Sequence, residues 1–213
     1  MEPEAGFRRD VEVVHAVRNA LGKDMRIMVD ANNGYQKEPD RAWRLLNEVA
    51  ADNVYWLEEP FPEEVGLYTA LRAKMQKAGI KTLIADGESA RGIPELLPYL
   101  EPKVLVDVLQ MDIRGCGLLE NAALARRAEP KGAVCVPHNW GSQLGGLMGL
   151  QLAKAVKGVP AAEDDRSTCD VLVPDGYEFR GGSYSVPDKP GLAIHIDEEV
   201  YRLKCKPSEV VVS

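Results

Sequence analysis

Arg26-Ile-Met-Val-Asp30, Val54-Tyr-Trp-Leu-Glu58 and Lys81-Thr-Leu-Ile-Ala-Asp-Gly-Glu88 are three short apolar runs that each close on a carboxylate. Runs of this length, apolar at consecutive positions and rich in β-branched and aromatic residues, read as strands buried on both faces. Three further runs follow the same plan: Val104 to Asp112, Ala133 to His138, and Val159 to Glu163. The ionisable residues at their ends are Asp30, Glu58, Glu88, Asp112, His138 and Glu163, separated by 28, 30, 24, 26 and 25 positions. One strand with its crossover helix takes roughly 30 residues. Each repeat therefore delivers one ionisable side chain at the carboxyl end of its strand.

The segments between the runs carry helical spacing. Val11, Val14, Val17 and Leu21 share one face of a helix near Arg8 to Leu21, and Gly22 offers its stop. Pro39 stands near the first turn of a helix whose buried stripe is Ala42, Leu45, Leu46 and Val49. Further helices are expected around Leu67 to Ala78, Leu118 to Ala128 and Leu147 to Val156. Strands alternating with helices predict an α/β fold with a parallel sheet and right-handed crossovers. No Gly-x-Gly-x-x-Gly follows any of the strands, which removes the best support for a doubly wound, dinucleotide-binding sheet. Polar residues delivered at every strand end instead predict a partial (β/α) barrel of six strands. A Gly/Pro/Asp-rich tail follows. The expected division is a truncated barrel over 1–175 and a C-terminal extension over 176–213.

Composition narrows the function classes. Of 213 residues, 45% are hydrophobic and 28% charged, which excludes a disordered acidic tail or a collagen-like repeat. The net charge is −7 with no basic stretch, which argues against nucleic acid or an anionic membrane surface as partner. The apolar runs are far shorter than the roughly 20 residues needed to cross a bilayer, and the Met-Glu-Pro-Glu start does not read as a signal peptide. Cys116, Cys135, Cys169 and Cys205 form no Cys-x-x-Cys pair, so neither a zinc site nor a disulfide framework is expected. Reduced, inert thiols suit a cytoplasmic protein.

Asp30, Glu58 and Glu88, carried to adjacent strand ends, would repel one another unless a cation neutralised them. A donor set of oxygens alone favours Mg²⁺, with Mn²⁺ as the alternative. Asp112 and His138 form the second group. A neutral imidazole is a competent base near pH 7, and a carboxylate on its far nitrogen sets the tautomer and raises its basicity. His15 and His195 receive no such role, one lying in a helix and the other in the tail.

These motifs in this order resemble a known family. Val-Asp30-Ala-Asn32, Trp-Leu-Glu58-Glu59-Pro60, Ala-Asp-Gly-Glu88-Ser, Leu-Gln110-Met-Asp112-Ile-Arg-Gly-Cys-Gly117 and Pro-His138-Asn are similar to the mandelate racemase subgroup of the enolase superfamily. The likeness continues through Gly176-Tyr, Ser185-Val-Pro-Asp-Lys-Pro-Gly-Leu and Ile196-Asp-Glu-Glu. The resemblance implies the TIM-like C-terminal barrel of that superfamily, strands three to eight, and Mg²⁺-assisted removal of the proton α to a carboxylate. By motif it makes Asp30, Glu58 and Glu88 the metal ligands, with Asp86 as the alternative to Glu88, and Asn32 a polar contact to substrate. Lactonising enzymes and dipeptide epimerases carry lysine five residues before the glycine. Here that place belongs to Asp112, which favours the His-Asp dyad with His138 as base. Glu163 resembles the strand-eight acid that binds the substrate carboxylate or donates a proton. The Trp140-Gly-Ser-Gln-Leu-Gly-Gly segment reads as a glycine-rich loop after the seventh strand.

The implied reaction is dehydration of a sugar acid to a 2-keto-3-deoxy acid, with racemisation or epimerisation of a 2-hydroxy acid as the alternative. The family's capping domain and first two strands, including a Lys-x-Lys or Lys-x-His end, are not in this chain. A fragment, one half of a split enzyme, and a structural remnant remain as explanations. The expected partners are a small-molecule carboxylate and either further copies of the chain or the missing N-terminal segment.

Overall fold

Five parallel strands line up in chain order in the computed structural model, which describes residues 3–208 and 210. After helix α1 (Pro3–Leu21) come β1 (Ile27–Asp30), α2 (Pro39–Glu48), β2 (Val54–Glu58), α3 (Val65–Ala78), β3 (Leu83–Asp86), α4 (Ile93–Leu100), β4 (Val108–Leu109), α5 (Ile113–Ala128), β5 (Val134–Cys135) and α6 (Gln143–Ala155). Each strand pairs with the next through one helical crossover, so the sheet winds as part of a (β/α) barrel. Register sorts the side chains onto two faces. Asp30 stands opposite Glu58, Glu58 opposite Ala85, Ala85 opposite Val108, and Val108 opposite Val134. Leu57, Ile84, Asp86, Leu109 and Cys135 occupy the alternate face.

The alternate face carries most of the core. Leu57, Ile84, Leu109 and Cys135 are fully buried against Leu45 and Leu46 of α2, Leu71 and Met75 of α3, Leu100 of α4, and Leu124 and Ala125 of α5. The inner face holds a smaller cluster of Trp56, Ala85, Val108 and Val136, with Leu83 and Val134 partly buried beside it. At the β1 end this inner layer is open: Met28 is 48% exposed. There a groove of about 470 Å³ runs between α1 and β1, lined in part by Val13, Val17, Met28 and Asp30.

Local chemistry explains the helix boundaries. Pro39 opens α2, where a missing N–H costs nothing, and Gly79 closes α3 at φ 70°. Asp112 caps α5 by accepting from Gly115 N–H, so the helix begins five residues earlier than the apolar spacing predicts and bends at Gly117. Ser142 caps α6 in the same way, which advances its start to Gln143. The short α4, with prolines at 94 and 98, has no counterpart in the sequence expectations, because its eight residues give too few turns for a periodic stripe.

The sixth expected strand does not form a ladder. Residues 159–163 take no strand assignment, and Pro160 has no N–H to donate to a ladder. One backbone bond, Cys135 N–H to Gly158 O at 2.9 Å, ties the approach, and beyond it carboxylates replace carbonyls as acceptors: Glu163 takes Asn139 N–H at 2.6 Å and Asp165 takes Gly141 N–H. In the tail, β6 (Leu172–Pro174) pairs antiparallel with β9 (Ile194–Ile196). Between them β7 (Glu178–Arg180) and β8 (Ser183–Ser185) form a hairpin, whose two-residue turn Gly181-Gly182 has both φ angles positive, as such turns require. A one-turn helix, α7 (Glu198–Val200), is capped by Asp197. Among the described residues no helix is long and apolar enough to cross a membrane.

Candidate active site

The carboxyl ends of the five strands bring the candidate residues to one rim. Asp30 and Glu58 close β1 and β2 in direct register, both on the inner face. Asp86 closes β3 on the opposite face, where it is buried, accepts from Tyr68 Oη of α3, and takes Gly87 N–H at 2.6 Å. Gly87, at φ 123°, then turns the chain in a conformation that side chains resist. Glu88 consequently meets His138: its Oε2 lies 3.4 Å from Nε2. Of the two candidates after β3, Glu88 thus joins the inner rim and Asp86 is engaged among the helices.

His138 extends the inner-face row of Val134 and Val136 beyond β5. Its side chain is 14% exposed, and its Nδ1 lies 2.8 Å from Asp112 Oδ2. With Nδ1–H donating to Asp112, Nε2 carries the lone pair and faces the rim. Burial pushes the Asp112 carboxyl up, but the Gly115 N–H, His138 and the Arg114 guanidinium at 3.6 Å outweigh it and hold the group below its usual range. Asp112 is therefore an anion suited to orient an imidazole.

The remaining acids crowd the same end. Burial, with the charge of Asp30 nearby, raises Glu58 to about 7 even though Gln110 and the Trp56 N–H favour its anion. Glu59 is raised to about 8 by burial and by Glu88, Asp86 and Asp30. Burial also raises Glu163, against the Asn139 N–H and His138. Asn32 is exposed at φ 44°, and its N–H turns back to Asp30 Oδ1 at 2.8 Å.

Among the described residues, the acids whose oxygens all gather within 4.8 Å are Glu59, Glu63 and Asp86. Asp30, Glu58 and Glu88 are not drawn so close, since Glu58 is held by Trp56 Nε1 at 3.0 Å and Glu88 faces His138. Their chemistry nevertheless fits a hard dication: all donors are oxygens, and the rim carries negative charge with no lysine or arginine paired to Asp30, Glu58 or Glu88 among the described ion pairs.

Three residues of this rim received no role in the sequence reading. Trp56 donates to Glu58, Gln110 favours the anion of the same carboxylate, and Arg114 flanks Asp112. Strand alternation was the available signal for the first two, since Trp56 lies two residues before Glu58 and Gln110 two before Asp112. Asn139 is a fourth. It is buried, its N–H holds Glu163, and its amide donates to Ser142 O at 3.0 Å. A Cβ at Gly145 would stand 2.0 Å from Asn139 Oδ1. Gly145→Ala is therefore expected to displace Asn139 and cost about 1–3 kcal/mol, read as a lower midpoint in thermal unfolding. An unchanged midpoint would show that Asn139 moves aside freely.

Comparison with known proteins gives a consistent picture. The family described as enolase C-terminal domain-like matches residues 1–200. D-galactarolactone cycloisomerase of Agrobacterium fabrum is 32% identical, over 91% of this chain and 53% of that protein. Arabinonate dehydratase of Saccharolobus solfataricus is 26% identical, over 94% and 53%. Among solved structures, a mutant galacturonate dehydratase from Geobacillus sp., complexed with Mg, superposes with a TM-score of 0.83 at 30% identity, covering 98% of this chain and 53% of that one. A mandelate racemase/muconate lactonizing protein from Geobacillus sp. Y412MC10, complexed with magnesium and tartrate, gives 0.82 at 29% identity, over 98% and 53%. The chain spans about half the length of the curated relatives it matches. Matched by sequence over nearly all its length and by fold to enzymes of the mandelate racemase type, this chain belongs to the enolase C-terminal domain-like family.

Proposed function

We propose that this chain carries the chemical core of an enzyme that removes the proton α to a carboxylate and eliminates a β-hydroxyl, converting an aldonate-like sugar acid to a 2-keto-3-deoxy acid. The observation that carries the reading is the Asp112–His138 pair, at 2.8 Å, set on the same rim as Asp30, Glu58 and Glu88. Asp30, Glu58 and Glu88 would hold Mg²⁺, with Mn²⁺ as a substitute. When bound, the cation supplies the positive charge that stabilises an enediolate. His138 takes the α-proton at Nε2, while Asp112 holds Nδ1–H and steadies the imidazolium. The same imidazolium can return its proton to the departing hydroxyl, so one base completes an elimination. Racemisation or epimerisation of a 2-hydroxy acid, the alternative, needs a second base on the opposite face of the carbon from His138.

Glu163 serves the substrate end. Burial favours its protonated form, which suits a hydrogen bond to a carboxylate or proton donation. Asn32, exposed beside Asp30, is assigned to contact the substrate's polar groups. The extension over 176–213, of which 209 and 211–213 lie outside the described residues, is assigned to pack toward the part of the relatives that this chain does not cover, and the whole enzyme would act in the cytoplasm. The test, run on the chain joined to the part of the relatives it does not cover, is α-proton exchange in deuterated solvent with a panel of sugar acids, together with detection of keto acid. Calorimetry of the chain with Mg²⁺ should show binding that Glu58→Gln abolishes. Turnover confined to mandelate-like acids, without keto-acid formation, would overturn the dehydration reading.

A further inference from the structure

Gln110 lies just beyond β4 and is 4% exposed. Its backbone ties three strand ends together: its N–H donates to Asp86 O at 2.9 Å, and its carbonyl accepts from His138 N–H at 3.4 Å. Val108, two residues earlier, stands in the inner-face row with Ala85 and Val134, so Gln110 also projects toward the inner rim. Its amide favours the anion of Glu58, the carboxylate that accepts from Trp56 Nε1 at 3.0 Å. Its Oε1 is buried with no partner. A carbonyl oxygen withdrawn from water and unpaired is costly to keep. Here it belongs to a side chain whose amide acts on Glu58, the carboxylate assigned to the cation.

We propose that Gln110 is a positioning residue of the cation site: its amide fixes Glu58, and its buried Oε1 accepts a hydrogen bond from an O–H that arrives with the ligand. Two sources share that chemistry, a water of the cation's hydration shell and a hydroxyl of the acid. The proposal rests on the assignment of Glu58 as a metal ligand, and it adds the acceptor that selects an O–H at the site. A residue that orients a ligating carboxylate typically changes metal affinity by about 10–100-fold when removed.

The experiment uses the 213-residue chain, with Mg²⁺ alone and then Mg²⁺ with tartrate as probes. Gln110→Met keeps the volume and shape of the side chain but has neither donor nor acceptor of useful strength. Calorimetry should show Mg²⁺ binding weakened about 10–100-fold if hydration water is the donor, or tartrate binding to the Mg²⁺-loaded chain weakened if the hydroxyl is. In wild type, the side-chain amide resonances of Gln110 should shift when the responsible probe is added, a readout that does not depend on how any variant folds. Wild-type binding of both probes by Gln110→Met, or Gln110 resonances that stay still at saturation, would overturn the inference. If Glu58→Gln loses Mg²⁺ in the same series, the cation assignment stands without it. Should wild type fail to bind Mg²⁺, or Glu58→Gln bind it equally well, the cation assignment itself falls.

Discussion

In a fusion that supplies the N-terminal half of the Geobacillus galacturonate dehydratase, His138→Asn is expected to lower α-proton exchange by about 10²–10⁴-fold, the span that a positioned general base contributes. Asparagine can still donate to Asp112 Oδ2, which now lies 2.8 Å from Nδ1, so the carboxylate is not left bare. What disappears is the lone pair on Nε2, the basic atom facing the rim. The variant should keep its Mg²⁺ affinity to within about tenfold, because His138 is not among the oxygen donors. Loss of exchange with retained cation binding would place the defect in proton transfer. Exchange that persists in His138→Asn would sink the assignment of the base, and Glu163 would become the next group to test. Asp112→Asn makes a companion case: the amide can present an N–H to Nδ1, which favours the wrong tautomer.

Residues 1–213 alone should show little or no α-proton exchange, and activity should appear once the part of the relatives they do not cover is supplied. The expectation follows from the β1 end of the sheet. Met28 is half exposed on the inner face, and Asp30 and Asn32 are open to water beside it. Electrostatic stabilisation of a developing enediolate weakens sharply when bulk water shares the site. Among the described residues β1 is an edge strand, and its open edge and the apolar groove along α1 also invite association. The measurement compares exchange and sedimentation for the isolated chain and for a fusion to the N-terminal half of the Geobacillus galacturonate dehydratase. Efficient exchange by an isolated monomer would refute this prediction. An inactive but well-folded fusion would favour a structural role for the chain.

Much of this molecule was legible from its sequence. The apolar runs at 26–30, 54–58 and 81–88 became β1 to β3, because consecutive buried positions admit few other conformations once helices alternate with them. Residue types and their spacing likewise brought Asp30, Glu58, Glu88, Asp112 and His138 to one rim, since every crossover returns its strand in the same direction. Three features depended on the tertiary structure. Whether 159–163 would pair was decided by Pro160 and by carboxylates that took the amides of Asn139 and Gly141. The separation of Glu88 from Asp86 was decided by strand register, which turns Asp86 toward Tyr68, and by Gly87, whose positive φ redirects the chain. Gln110 was brought to Glu58 by packing across β2, β3 and β4, a relation between residues 52 positions apart that no local pattern encodes. Periodicity determined which residues reach the rim, because it follows from backbone geometry alone; the partner each side chain finds there was decided by neighbours that only folding brings together.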